Sequence, residues 1–450
     1  MLSVEWAEGV NRVGREEWND LVGGASPFLE WDWLASLEDS GVVGAESGWL
    51  PRPLLARSDG RLIAACPAYL KTHSEGEFVF DFAWAEAAAR AGIRYYPKLL
   101  VGVPFTPVAG ARFLIAPDID RDETIRQLGS ALREACLSGE VSGVHINFCS
   151  QHEVAVLADQ SDHAGVENSG YMLRVGFQYQ WRNAGYRTFD DYLEQFRSKR
   201  RNQIKRERRE MERQGISIEA LSGNAIPDDL FQSMFACYLT TIENRYWGRQ
   251  YLNLHFFELL RDRFKHRLCV VIARKDNEVI ACTTNVVKGD VLYGRYWGAL
   301  QNARFLHFNV CYYAAIEHCI AAGIERFEPG AGGDYKFLRG FDPQPTYSLH
   351  FLAEPRLAGA VARFLEQERA EAHHVIDHLR EHSALKPTAE PASPENRADR
   401  TSEASAGGPH TSEPSAEVPR ASEPSAEAPR ASEPSAGVSP AARARRDRAS

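Results

Sequence analysis

ARSDGRLIAAC, at residues 56–66, and ARKDNEVIACT, at residues 273–283, share alanine, arginine, aspartate, isoleucine and alanine at matching positions. Each segment predicts a β-strand, a two-residue turn (Asp-Gly or Asp-Asn) and a second strand. Such turns favour a hairpin because these residue types tolerate positive φ. The two segments therefore predict two copies of one hairpin, and this repeat decides the fold.

The sequence around the hairpins repeats as well. Each half predicts a helix, strands, a second helix and further strands, which is a mixed α/β unit built twice. The first copy carries an insertion at residues 91–116, and the second carries a glycine-rich turn at residues 328–341. The corresponding segments are the helices 28–37 and 251–260, the strands 78–85 and 291–298 (aligning Trp84 with Trp297), the helices 121–138 and 307–322, the strands 143–148 and 323–328, and the strands 171–177 and 347–352.

Composition bounds the class of protein. With 450 residues, of which 44% are hydrophobic and 10% aromatic, the chain can bury a large core, and two domains are expected. The formal charge of −9 argues against general coating of nucleic acid. A single local basic patch remains compatible with a phosphate ligand.

Eight cysteines show no spacing typical of a zinc site, so no metal is predicted. Most lie in apolar stretches, which indicates reduced core residues and a cytoplasmic protein. The N-terminal sequence lacks the apolar core of a signal peptide, and no apolar run approaches the length of a membrane span.

The C-terminal sequence differs sharply from the rest. Residues 387–450 lack aromatic residues, leucine and isoleucine, and four decapeptides rich in Ser, Glu, Pro and Ala repeat over 401–440. Such a segment is predicted to be a disordered spacer, so the folded body should end near Lys386, after an amphipathic helix over 355–382. The predicted domains are 1–185, 186–386 beginning with a basic helix, and the tail 387–450.

RSKRRNQIKRERREMERQG, at residues 197–215, holds nine Lys or Arg residues and predicts a helix that ends at Gly215. Its apolar stripe is formed by Leu193, Phe196, Ile204 and Met211, and its cationic stripe by Arg197, Arg201, Lys205 and Arg208. One interpretation is a solvated helix with internal Glu pairs. The other is one wall of an anion-binding cleft between the two halves, with Arg200, Arg201 and Lys205 contacting the ligand.

The turn PGAGGDYKFLRGF, at residues 329–341, is the second candidate for ligand binding. Glycines let the backbone approach a ligand, and lysine and arginine add positive charge, a combination that suits phosphate or carboxylate. The neighbouring strand VLYGRYWGA belongs to the same candidate site. The predicted binding residues of these two segments are Arg295, Trp297, Gly298, Gly330, Gly333, Tyr335, Lys336 and Arg339.

Several classes of enzyme are disfavoured, because the chain lacks GxxxxGK[ST], a strand-linked GxGxxG, GxSxG and HExxH. The remaining chemistry is attack of a substrate amine on an activated acyl group, promoted by positioning and by donors to the developing oxyanion. Glu328, Asp334 and Tyr296 are the candidate catalytic residues that would accept the amine proton, with Tyr335 as a further candidate. A structural role for each remains open.

The chain resembles the FemAB-like proteins of the GNAT superfamily, which act in peptidoglycan biosynthesis or recognition. The resemblance rests on stretches in order: SPFLEWDWLASLEDSG, CPAYLKTHSEGEFVFDFAWAEA, RYYPKLLVGVPFTPVAGARFL, FRSKRRNQIKRERR, GRYWGA, LHFNVCYYAAIEHCIAAG and FEPGAGGDYKFLRGFDPQPTYSLHF. It implies two tandem GNAT-like domains, and transfer of an amino acid from aminoacyl-tRNA to an amine of a peptidoglycan precursor. It also implies that the basic helix lies near anionic substrate groups, that GRYWG receives the acyl donor, and that Lys336, Arg339 and Gly340 belong to the site.

Three hypotheses about function follow. The first is an acyl- or aminoacyltransferase that forms an amide on an anionic small-molecule or peptide substrate, with tRNA as a candidate partner. The second is an acyl-CoA-dependent N-acetyltransferase, although the nearest match to the pyrophosphate-binding pattern [QR]xxGx[GA], at residues 295–300, fails at its last position. The third is a non-catalytic module that recognises an anionic ligand. No cofactor beyond the acyl donor and no oligomeric state is predicted.

Overall fold

In the computed structural model, which describes residues 2–158, 170–243 and 249–386, both predicted hairpins form. Ser58 pairs with Arg61 in the first hairpin, and Lys275 pairs with Glu278 in the second. The turn residues have positive φ in both: 50° and 86° at residues 59–60, and 52° and 69° at residues 276–277. The register of each hairpin also shifts at the same point, between Ala and Arg, which confirms that one unit is built twice.

The first half contains nine strands and five helices within the described residues. Their order is β1 (Leu2–Trp6), α1 (Arg15–Val22), α2 (Trp31–Asp39), β2 (Trp49–Pro51), β3 (Leu54–Ser58), β4 (Arg61–Cys66), β5 (Ala68–Lys71), α3 (Phe82–Arg90), β6 (Lys98–Val101), β7 (Leu114–Ile115), α4 (Arg121–Leu137), β8 (Gly143–Cys149), α5 (Gln151–Leu157) and β9 (Met172–Arg182).

The second half repeats this arrangement after two helices. Its elements are α6 (Phe189–Glu194), α7 (Ser198–Arg213), β10 (Ile216–Ser222), α8 (Leu230–Glu243), α9 (Leu254–Leu259), β11 (Leu268–Lys275), β12 (Glu278–Lys288), β13 (Val291–Ala299), α10 (Leu306–Phe308), α11 (Ala314–Ala322), β14 (Arg326–Glu328), β15 (Asp342–Leu352) and α12 (Pro355–Glu381). A π-helical turn, Asn309–Tyr313, joins α10 to α11 into one helix. A short 3-10 helix, Asp334–Arg339, precedes β15.

The two halves exchange their last strands. Eleven strands form one sheet in the order β10-β11-β12-β13-β14-β9-β15-β8-β6-β5-β2, and β1-β3-β4-β7 form a second sheet. In each half a parallel pair forms the centre, β6 with β8 and β13 with β14. The last strand of the first half, β9, pairs with β14 and β15, whereas β15 pairs with β8. The predicted boundary at residue 185 falls in the connection between β9 and α6, and the division into separate domains stays a prediction.

Aromatic residues join the halves in a shared core. Trp33 of α2 lies edge-on to Phe256, with ring centroids 5.3 Å apart, and Phe28 lies edge-on to Tyr293 at 5.4 Å. Both Phe28 and Trp33 are fully buried. Edge-to-face pairs of this kind add about 0.5–1.5 kcal/mol each to the burial of the rings.

The predicted strand at residues 78–85 is wrong. Phe82–Arg90 form helix α3, because the run FAWAEAAAR consists largely of strong helix formers. Trp84 therefore has no equivalence with Trp297. The counterpart of β13 is β6, which pairs in parallel with β8 and lies inside the segment that the sequence suggested was an insertion.

The basic helix forms, as α7, and ends as predicted just before Gly215, whose φ is 66°. Its four predicted apolar residues are buried, although Leu193 and Phe196 precede α7 and belong to α6 and the connection after it. All eight cysteines are buried free thiols, as predicted. The decapeptide repeats lie outside the described residues. No helix in the described ranges combines the length and the apolarity needed to cross a membrane.

Candidate functional site

The central parallel pair of the second half opens into a cavity. β13 pairs with β14 from Val291 to Tyr293, and no pairing follows beyond Glu328 in β14. A bulge in β13 makes Arg295 the extra residue, since Asn285 pairs with Gly294 and Thr284 pairs with Tyr296. Bulges re-aim side chains beside functional sites. The opening exposes the edge of β13 to a cavity of about 370 Å³.

Both halves of the protein line this cavity. The first half contributes Phe78, Phe105 and Pro107, and the second contributes β13, the end of α8, the π-helical turn and the glycine-rich turn. π-helical turns are rare and occur frequently at functional sites. Of the predicted residues, the cavity brings together Arg295, Tyr296, Trp297, Gly330, Tyr335 and Lys336.

Lys336 is the buried cation of the site. Its side chain lies in the cavity wall, and Nζ donates to the carbonyl oxygens of Gly330 at 2.7 Å and Ala331 at 3.2 Å. No carboxylate in the described chain pairs with it. Burial lowers the pKa of Lys336 to about 8. The amine is therefore mostly protonated at neutral pH and loses its proton at a pH only slightly higher.

Arg295 and Tyr296 form a second polar pair in the cavity. Nη2 of Arg295 donates to the carbonyl oxygen of Phe105, and it lies 3.5 Å from Thr106 Oγ1. Nε of Arg295 is buried without a partner among the described residues, and the buried hydroxyl of Tyr296 has only the neighbouring Arg295 guanidinium within hydrogen-bonding reach among those residues. Burial raises the pKa of Tyr296 against the effect of the Arg295 guanidinium, so this phenol is a hydrogen-bond donor rather than a base.

His307 lies among aromatic rings at the cavity wall. Its ring centroid is 4.7 Å from Trp297 and 5.4 Å from Tyr335. Burial lowers the pKa of His307 to about 4, and the charges of Arg339 and Lys336 act in the same direction. The imidazole is therefore neutral at physiological pH.

The cavity is cationic. Its lining in the described chain includes Arg249, Arg295 and Lys336 but no aspartate or glutamate. Arg249 is paired with Glu75. Two cations without a carboxylate partner in a half-buried cavity favour an anionic ligand, because an unpaired charge removed from water is costly.

Arg339, predicted to bind substrate, lies outside the cavity and holds the fold together. Its Nη2 pairs with Glu207 of α7 at 3.1 Å, and its Nε donates to Tyr313 Oη at 2.9 Å. The guanidinium also stacks over Phe308, 3.4 Å from the ring centroid. The arginine fastens the glycine-rich turn to α7 and the helix behind it.

The basic helix also lies behind the cavity rather than along it. Arg200, Arg201 and Lys205 are absent from the described lining. Nη1 of Arg200 donates to Gln203 at 2.9 Å, and Lys205 pairs with Asp190 at 3.3 Å. The prediction that α7 forms one wall of the cleft is therefore not met in this structure.

Neither predicted carboxylate lines the cavity. Glu328 is the last paired residue of β14, where Gln180 and Arg326 lie near its side chain, and burial raises its pKa. Asp334 is exposed at the start of the short 3-10 helix. Their roles as proton acceptors stay predictions without support from the cavity geometry.

Gly298 and Gly333 are needed for backbone conformation and close packing. Gly333 has φ of 85°, which favours glycine, as the turn enters its short helix. At Gly298 an added Cβ would lie 1.6 Å from the carbonyl oxygen of Cys237 in α8. β13 therefore docks directly on α8.

Gly298→Ala is expected to lower the free energy of unfolding by about 1–3 kcal/mol, because the α8 backbone must move away from β13. Chemical denaturation measures this change. The control is Gly24→Ala, where an added Cβ meets nothing within 4 Å and no positive φ is involved. Equal stability of the two variants would show that α8 can shift without loss of folding free energy.

Sequence reasoning missed several cavity residues: Phe78, Phe105, Pro107, Tyr251, His307, Cys311 and Tyr312. The segment VGVPFTP carries two of them, but its approach to the second half is a long-range contact with no local signal. The aromatic-rich run LHFNVCYY carries three more, and a helical pattern alone indicated only core packing.

Comparisons with known proteins place this fold in context. The family model for FemAB-like proteins, described as peptidoglycan biosynthesis/recognition, matches residues 9–387. Similar solved structures include the C-terminal domain of a putative lysylphosphatidylglycerol synthetase from Agrobacterium fabrum, with 13% identity, coverage of 77% of this chain and 93% of that chain, and a TM-score of 0.47. FemX shows 10% identity, coverage of 78% and 98%, and a TM-score of 0.47.

A tandem GNAT protein from the clavulanic acid biosynthesis pathway shows 12% identity, coverage of 79% and 99%, and a TM-score of 0.40. No curated protein sequence matches this chain. Because the family model spans nearly all of the described residues, the chain belongs to the FemAB-like family.

Proposed function

We propose that the protein is an N-acyltransferase that forms an amide between an activated acyl or aminoacyl group and a substrate amine in the cavity beside β13. The observation that carries the proposal is the opened strand pair: within the described residues β13 has no β14 partner beyond Tyr293, and the cavity at this opening contains Lys336 and no carboxylate in its described lining. This arrangement suits stabilisation of an acyl oxyanion rather than nucleophilic catalysis.

The reaction needs little from the side chains beyond positioning. The amine nitrogen attacks the acyl carbon, the bond from that carbon to the donor oxygen or sulfur breaks, and the amine proton passes to the leaving group. The Lys336 ammonium would stabilise the oxyanion. Cys311 is excluded as a nucleophile, because burial raises the pKa of its thiol well above the ordinary value.

The family supports a peptidoglycan precursor as the amine acceptor, since its description is peptidoglycan biosynthesis/recognition. For the donor, aminoacyl-tRNA is favoured over acyl-CoA. α7 presents cations that no carboxylate of the described chain pairs with, and such a surface suits a polyanion: Arg197, Lys199, Arg201, Arg206 and Arg209. Buried free thiols fit a reducing compartment, so we place the reaction in the cytoplasm.

Thermal unfolding in the presence of acetyl-CoA, long-chain acyl-CoA, a UDP-linked sugar pentapeptide and aminoacyl-tRNA tests the proposal. Stabilisation by one donor and by the pentapeptide is expected, followed by a new amide detected by mass spectrometry when both are present. Stabilisation by acyl-CoA with acyl transfer would identify the CoA-dependent alternative. Binding of anionic ligands without product from any pair would instead establish the recognition module.

A further inference from the structure

Arg295 has the environment of a ligand-binding group rather than of a structural arginine. Both hydrogen bonds that it makes with the described residues come from Nη2, to Phe105 and Thr106 of the first half. Nε has no partner, and no carboxylate of the described chain pairs with the guanidinium. Its position as the bulged residue of β13 turns this side chain into the cavity together with its neighbour Tyr296.

Arg112 shows what a structural buried arginine looks like in this protein. Its guanidinium donates to four carbonyl oxygens, those of Asn147, Val108, Ala111 and Gly110, at 2.6–3.3 Å. All three of its nitrogens are used. Arg295 is different, because its Nε–H has no partner among the described residues.

We propose that Arg295 and Tyr296 form an oxyanion subsite that binds a carboxylate or phosphate ester of the substrate. The free Nε–H can donate a charge-assisted hydrogen bond to one oxygen of such a group, and the Tyr296 hydroxyl can donate to the other. The anion provides the counter-charge that the cavity lacks. This inference rests on the proposed function only in taking the cavity as the substrate site, and it defines the substrate as one that carries an oxyanion group apart from the reacting amine and acyl carbon.

The subsite also spans both halves of the protein. Nη2 stays hydrogen-bonded to the Phe105 carbonyl oxygen. An anion at Nε would therefore bind to a guanidinium that the first half already holds in place. Arg295 further lies 5.5 Å over the ring of Phe28 and 5.1 Å over that of Tyr296, which fixes its plane. Preorganisation of this kind lowers the entropy cost of binding.

Titration calorimetry with acetate, N-acetylglycine, inorganic phosphate and phenyl phosphate, at constant ionic strength, tests the subsite on the full-length protein. At least one class is expected to bind the wild type, and Arg295→Met should weaken it by about 10–100-fold, the worth of a charge-assisted hydrogen bond. Arg295→Lys should recover only part of the affinity, because an ammonium lacks the planar group that holds one nitrogen on Phe105 while Nε faces the ligand. Arg182→Met, at an exposed arginine of β9, is the matched control and should bind like the wild type.

Thermal unfolding without ligand provides a readout that separates binding from structure. Arg295→Met should be as stable as the wild type or more stable, because it removes a charge without a counter-ion. Binding of carboxylates alone or of phosphates alone would support the proposal and identify the substrate class. Failure of all four anions to bind, or a large loss of stability in Arg295→Met with unchanged anion affinity, would overturn it. Anion binding without amide formation would count against the proposed function and leave the subsite intact.

Discussion

Lys98→Met is expected to lower the free energy of unfolding by about 3–5 kcal/mol, the cost of leaving buried charges without their partner. The Lys98 side chain has no exposed surface, and its Nζ donates to Glu77 at 2.8 Å, to Ser74 at 2.9 Å and to Asp81. Removal of the ammonium leaves two buried carboxylates in the first half. Urea denaturation followed by circular dichroism measures the loss.

Lys71→Met is the matched control. Lys71 lies opposite Lys98 on the neighbouring strand and is also buried. Among the described residues its Nζ has no carboxylate partner: it contacts His73 Nδ1 at 3.4 Å, the Glu75 carbonyl oxygen at 3.3 Å and the Trp49 ring. Burial lowers the pKa of Lys71 to about 7. Its replacement should therefore leave stability at pH 7 unchanged or raise it, because burial disfavours the ammonium in the folded protein.

The pH dependence gives this pair of variants a second signature. Because the pKa of Lys71 is lower in the folded than in the unfolded protein, the unfolded chain binds more protons between about pH 7 and pH 10. The contribution of Lys71 to stability thus rises with pH across this window, and Lys71→Met should remove that rise. If Lys71→Met lowered the free energy of unfolding as much as Lys98→Met, the packing of the side chain rather than ion pairing would account for the loss at both positions.

The Lys98 cluster also supports the candidate site. Glu77 and Asp81 flank Phe78, which lines the cavity and has a φ of 60° that is unfavourable for a residue other than glycine. The two ion pairs hold the chain on both sides of this strained residue. Loss of Lys98 should therefore loosen one cavity wall along with the first half.

The duplicated architecture was accessible from the sequence because the hairpin turns are local signals. Asp-Gly and Asp-Asn each take positive φ in place, and the helices after the hairpins follow ordinary apolar periodicity. The alignment of Trp84 with Trp297 failed because apolar residues at 78–85 fit a strand or a helix, and the Lys98 contacts that fix Asp81 at the start of α3 come from seventeen residues away.

The exchange of β9 and β15 could not be predicted, because the same alternating pattern suits either neighbour in the sheet. In the site, too, some residues could be predicted from the sequence and others could not. The glycine-rich turn and Lys336 carry local signals, whereas the roles of the two arginines depend on long-range partners. Arg339 pairs with the buried Glu207, while Arg295 has no carboxylate partner among the described residues and donates to a carbonyl oxygen and a hydroxyl. Charge along a sequence does not reveal which cation is already paired.

Lys336→Met is expected to reduce the turnover number by about 10²–10³-fold, the usual effect of removing one donor to an oxyanion. Stability should change by only about 1 kcal/mol, because the variant loses two hydrogen bonds to carbonyl oxygens but also a buried charge. Steady-state rates of amide formation, with the donor and acceptor identified by the ligand panel, provide the measurement. The control is Lys275→Met, at an exposed lysine of β11, which should leave the turnover number near that of the wild type.

The pH profile tests the protonation state that this role requires. The pKa of Lys336 is lowered to about 8, so the ammonium predominates below that pH and is lost above it. Wild-type turnover with saturating substrates should therefore decline above about pH 8. The acceptor amine titrates too, but in the opposite sense, since its neutral form reacts; acceptors of different basicity would move only that ascending limb. A rate that rises through pH 8, with the rise abolished in Lys336→Met, would show instead that the neutral lysine removes the amine proton.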